Sequence, residues 1–118
     1  MRKHCPVPWV EIIPEQIHVV GHRYSVSTPI ELKSGRNDDL FGQADHEDLA
    51  IKIRAARQHA DEAADTFSHE IIHSIDSCLR LHLSEEKIGR LASGLWSTML
   101  ESPGLLEFFI AVRDGRAI

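Results

Sequence analysis

Basic clusters, cysteine and long apolar runs are all scarce in this 118-residue chain. No run of Lys and Arg exceeds the dipeptide Arg2-Lys3, and 13 basic against 18 acidic residues leave a net charge of −5. A surface that neutralises phosphates needs a basic patch, so neither nucleic acid nor an anionic membrane is expected as a partner. The two cysteines, Cys5 and Cys78, make no disulfide framework and point to a reduced compartment with one buried thiol. No window approaches the ~20 apolar residues that cross a bilayer. The first six residues begin like a signal n-region, but Pro8, Glu11 and Pro14 break up the apolar residues that follow. The expectation is a single cytoplasmic domain over residues 1–118, long enough to bury one core.

Histidine, by contrast, is abundant, with eight residues. Two of them frame His69-Glu70-Ile71-Ile72-His73, an HExxH signature inside a segment, residues 60–81, that reads as one helix. At about 100° per residue His69 and His73 project from the same side, with Glu62, Asp65 and Asp76 within about 40° of His69. Ala60, Ala64, Phe67, Ile71, Ile75 and Cys78 fall on the far side. One face is thus expected to bury and the other to coordinate.

The rest of the chain reads as α+β. Residues 1–15 are proline-punctuated and serve as an irregular lead-in that pins Trp9, Ile12 and Ile13 to the core. Strands are expected within residues 16–54. Residues 17–26 form one strand with Val20, Tyr24 and Val26 on one parity and Gly21 as a bulge. A polar loop follows, then a hairpin of residues 40–44 and 49–53 around Asp45-His46-Glu47-Asp48. Gly42 marks either a close approach of backbone, as on a strand facing substrate, or a mere bulge. Ser84 is an N-cap for a second helix, residues 84–101, with Ile88, Leu91, Ala92, Leu95, Trp96 and Met99 as its apolar stripe. Ser102-Pro103-Gly104 stops it, and a terminal helix spans residues 103–113. The predicted architecture is a small antiparallel sheet of about three strands packed on these helices, with Cys78 and the Trp and Phe residues in the core. His18, His22, His46 and His59 are expected at the surface.

Two histidines do not complete a catalytic zinc site, which keeps three protein ligands and a water. On the second helix Glu85 lies within about 20° of the centre of the apolar stripe, whereas Glu86 points about 120° away. A carboxylate aimed at a buried face needs a partner, and a metal is one. The other reading of Glu85 is a first-turn acid serving the helix dipole. If the two helices run antiparallel and start level, Glu85 sits beside Arg80, roughly 10 Å along the axis from His73. A steep crossing removes that gap, and Glu86, His82 and Asp76 are the competing ligands. Glu70 is placed to accept a proton from water and return it to a leaving amine. Asp76 and Asp65 are candidates to orient the imidazoles, and Tyr24, His82 and Arg90 to stabilise an oxyanion.

An HExxH helix followed by a helix that opens with a glutamate resembles the gluzincin arrangement of zinc metallopeptidases. Over about residues 40–100 the chain is similar to the small ImmA/IrrE-type metallopeptidases and related short phage-encoded proteins. Their second helix opens E-x-x-A-x-x-F-A. Here it reads Glu85-Glu86-Lys87-Ile88-Gly89-Arg90-Leu91-Ala92, with Ile88 for the first alanine and Leu91 for the phenylalanine. The resemblance implies a minimal zincin-like fold, Zn2+ held by His69, His73 and Glu85, Glu70 as the catalytic residue, and a specific protein or peptide substrate. That substrate is expected to dock as an added strand on a sheet edge near the cleft, with residues 49–53 in view. The competing expectation is a non-catalytic zinc-binding regulatory or interaction module.

Overall fold

The computed structural model describes residues 8–116. Cys5 and the other residues of the lead-in before Pro8 lie outside them. A 3-10 turn, Pro8–Glu11, leads into four strands: β1 (Gln16–Val19), β2 (His22–Ser27), β3 (Gly42–Asp45) and β4 (Ala50–Ile53). Three helices follow: α1 (Ala60–Leu79), α2 (Glu85–Glu101) and α3 (Pro103–Arg113). The class is α+β as expected, but the sheet is four-stranded and mixed, ordered β1-β2-β4-β3. β1–β2 and β3–β4 pair antiparallel, while β2 and β4 run parallel.

The extra strand arises where one continuous strand was expected. Val20 (φ 48°) and Gly21 (φ 82°) both take positive φ and make a two-residue hairpin turn, so Gly21 is a turn residue. The reversal also shifts parity: Val19, not Val20, is buried with Tyr24 and Val26. The sequence alternation of residues 49–54, with Leu49, Ile51 and Ile53 inward and Ala50, Lys52 and Arg54 outward, holds for Ile51, Lys52 and Ile53 but not for Arg54, which is buried. β4 lies inside the sheet, however, because the chain goes out to β3 first and returns between β3 and β2. The free edge beside α1 is therefore β3, and residues 49–53 are not available for strand addition.

α1 packs across one face of the sheet. Trp9, Val19, Tyr24, Val26, Ile51, Ile53 and Ala63 form the core, with Phe67, Ile71, Ile75 and Cys78 of α1 half-buried against it. Ala60 is exposed. α1 ends at Leu79, two residues before the expected stop, because Arg80 turns into the left-handed region (φ 54°). A second cluster, Ile72 with Ile88 and Ala92, joins α1 to α2. The histidine side of α1 is thus also covered, at about 1.5–3 kcal/mol per buried isoleucine. The expected α2 stripe is narrower than drawn: Ile88 and Ala92 are buried, whereas Leu91 and Leu95 are about half exposed. α3 buries no residue, and Phe41, Phe108 and Phe109 are exposed, so most of the phenylalanines lie outside the core.

No helix among the described residues is long and apolar enough to cross a membrane. His18, His22, His46 and His59 are exposed, as expected. His46 nonetheless bonds inward, its Nδ1 lying 2.7 Å from the hydroxyl of the fully buried Tyr24.

Burial pushes the Tyr24 phenol up from 10.0 to about 12, with the Cys78 thiol adding to the rise and a Ser74 hydrogen bond opposing it. A group whose pKa is raised on folding contributes stability that is present below its unfolded pKa and lost as pH rises through the folded one. Unfolding in guanidinium at a series of pH values should therefore show stability falling between pH 10 and 12. Tyr24→Phe should flatten that fall, after costing about 1 kcal/mol at neutral pH for its hydrogen bonds. An unchanged slope in the variant would mean that other groups govern the alkaline limb.

Candidate metal centre

Three donors converge. His69 Nε2 bonds Glu85 Oε1, and His73 Nε2 lies 3.0 Å from Glu85 Oε2 and 3.1 Å from Oε1. One ligand atom from each of His69, His73 and Glu85 falls within 4.8 Å of the others, the one such group found among the described residues. Ligands about 2.0–2.1 Å from a tetrahedral zinc stand about 3.3 Å apart, so this spacing admits an ion with small adjustments. Two imidazoles and a carboxylate are also the donor set of several catalytic zinc sites. The histidine side chains are 25% and 31% exposed and that of Glu85 70%, which leaves the group open to solvent.

The helices meet by antiparallel packing with an offset, not by a steep crossing. Glu85 meets His73, Ile88 packs on Ile72, Gly89 faces His69, and Ser93 Oγ bonds Asp65 Oδ1 at 3.2 Å. Contacts that advance along α2 thus retreat along α1, with Glu85 level with His73 instead of Arg80. The connection makes this possible by doubling back along the last turn of α1. Arg80 and His82 both take positive φ, Leu81 N–H donates to the Asp76 carbonyl, and Leu83 N–H donates to Asp76 Oδ1 at 3.0 Å. Ser84 then caps α2 by accepting from Lys87 N–H.

Glu70 stands on the other side of His69 and His73, buried between α1 and β3. Burial pushes its carboxyl above the usual carboxylate range, against the opposing pull of His73 and His69. Neighbouring groups desolvate Glu85 and push it up, but hydrogen bonds from both histidines outweigh this and hold its carboxyl below the usual value.

What brings the sheet against Glu70 is Gly42. A Cβ there would stand 2.6 Å from Thr66 Cγ2 and 3.0 Å from Glu70 Oε2, so the glycine makes room for side chains of α1 and not for another backbone, and it pairs in register with Ile53 without a bulge. Gln58 fixes the neighbouring backbone. Its Nε2 donates to the Arg54 carbonyl at 2.6 Å and the Phe41 carbonyl at 3.2 Å, and its Oε1 accepts from Thr66 Oγ1 at 2.7 Å. A side chain 2% exposed with every bond made is a rigid clamp. Sequence reasoning passed over Gln58 because nothing in a lone glutamine between two elements marks it as buried.

The other candidates lie elsewhere. Asp76 holds the connection and Asp65 bonds Ser93, and no described residue bonds Nδ1 of either histidine. Glu86 pairs with Arg90 at 2.7 Å, both exposed. Tyr24 is fully buried against His46 and Cys78, and His82 is exposed outside the donor group. No family model, curated protein or solved structure matches this chain.

Two glycines touch this centre with opposite consequences. Gly42→Ala should cost about 1–3 kcal/mol by overpacking. Gly89→Ala should be neutral or stabilising by up to about 1 kcal/mol, since its Cβ would meet His69 at an ordinary 3.7 Å in a helix interior. Denaturant unfolding of both variants checks the pair, and equal costs would contradict the packing described.

Proposed function

We propose that this protein is a zinc-dependent metallopeptidase of minimal zincin-like design acting on a specific protein partner. The observation that carries the reading is the convergence of His69, His73 and Glu85 within 4.8 Å beside a buried glutamate. His69, His73 and Glu85 would hold the ion, which supplies Lewis acidity that lowers the pKa of a water toward ~7. Glu70 accepts a proton from the attacking water and delivers it to the leaving amine, which converts a poor leaving group into a neutral one. Its clamp between α1 and Gly42 fixes the direction of that transfer.

The free edge of β3 supports an extended peptide as substrate. Arg54 N–H donates to the Phe41 carbonyl at 2.8 Å. By the alternation of an antiparallel ladder, Gly42 and Ala44 then turn their N–H and C=O groups away from β4. A substrate strand added there runs past Glu70. The free thiol of Cys78 fits a cytoplasmic setting.

One observation favours the second reading, a zinc-binding regulatory module without catalysis. Of the residues considered for an oxyanion, Tyr24 is buried away from the donors and Arg90 is tied to Glu86, which leaves His82.

Elemental analysis of the purified chain, followed by a cleavage assay on candidate protein partners, separates these outcomes. About one zinc per chain is expected in the wild type, with loss in His73→Ala and weakening in Glu85→Ala. Glu70→Gln should keep the metal and lose on the order of 10²–10⁴-fold in cleavage. Undiminished biological activity of Glu70→Gln would end the enzyme reading, and a metal-free wild type after zinc addition would end both.

A further inference from the structure

α3 is apolar around most of its circumference, carrying Leu105, Leu106, Phe108, Phe109, Ile110 and Val112, yet none of its residues is buried. Among the described residues it contacts no element but α2. Leu105 near the start of α3, and Ile110 and Ala111 on the opposite side, are half-covered, and its other residues are exposed. The residues at i, i+3, i+4 and i+7 from Leu105 make a stripe in which Phe108 and Phe109 are each 58% and Val112 52% exposed. With Leu106, 51% exposed, α3 leaves on the order of 450 Å² of apolar side chain in water. A standard-size stable interface buries about 800 Å² per partner, of which about 65% is apolar between identical chains. α3 alone comes close to that apolar share.

We propose that this stripe is the interface of a two-fold dimer in which α3 packs antiparallel on α3 of a second copy. The spacing is self-complementary: with Leu105 opposite Val112 of the other copy, Phe108 falls opposite Phe109. Charge favours the same direction. In that register Glu101, at the end of α2, falls opposite Arg116 of the other copy, whereas Glu107 lies on the Ile110–Ala111 side, away from the stripe. Asp114 already pairs with Arg113 and Arg116, at 3.0 and 3.5 Å, but leaves them 72% and 65% exposed. Glu85 stands at the far end of α2, about 25 Å of helix from α3, so both metal centres stay open in such a dimer.

Light scattering coupled to gel filtration tests this on the full chain across about 1–100 μM. The wild type should elute at twice the 13.3 kDa chain mass. Phe108→Ser/Phe109→Ser and, separately, Val112→Glu should elute as folded monomers with unchanged far-UV circular dichroism, since none of these side chains supports the core. A wild-type monomer at every concentration overturns the proposal, as does a dimer that survives both variants. A monomer that instead sediments with phosphatidylcholine/phosphatidylglycerol vesicles overturns it in favour of a membrane surface.

Discussion

The register between α1 and α2 is the constraint on which the rest depends. Ile72, Ile88 and Ala92 are the buried apolar contacts that hold it, and in that register Glu85 meets His73. A slip of one turn would move the carboxylate by about 5 Å and leave two histidines facing water. The backward fold of the connection belongs to the same device. Asp76, whose carbonyl and carboxylate each accept a backbone N–H of the connection, is committed to the loop instead of to an imidazole.

The second constraint is the absence of a side chain at residue 42. It allows the edge of the sheet to lie against α1 at the level of Glu70, so the same few atoms bury the carboxyl and fix its direction. Gln58 and Thr66 hold that contact by hydrogen bonds rather than apolar packing, which orients the strand in a way that shape alone does not.

Legibility in the sequence follows from this physics. The 3.6-residue period of α1 repeats over 20 residues and could be read directly, as could the short alternation Ile51-Lys52-Ile53 of β4 and the direction of Glu85 relative to its helix. The points that escaped are single-residue events. Val20, Arg80 and His82 take positive φ without being glycine, asparagine or aspartate, so the doubled-back connection carries no usual mark and the hairpin that divides the first strand carries only Gly21. The parallel pairing of β2 with β4 is a tertiary choice between strands whose patterns are compatible with either direction. α3 reads as a core helix because it is apolar, but an apolar helix identifies only the need for a cover, not where that cover lies.

His69, His73 and Glu85 are separated by at most sixteen residues, all within one helical hairpin, whereas the surroundings of Glu70 draw on β3, nearly thirty residues earlier in the chain. The ligand group is therefore a product of local contacts, which form early and cost little loop entropy, while the buried carboxyl waits for the slower closure of the sheet. In a chain emerging from the ribosome the order of synthesis is the reverse: the sheet is complete before α2 exists. The sheet and α2 thus close on different sides of the same stretch of α1, around residues 65–73, and that helix is the template on which both are completed.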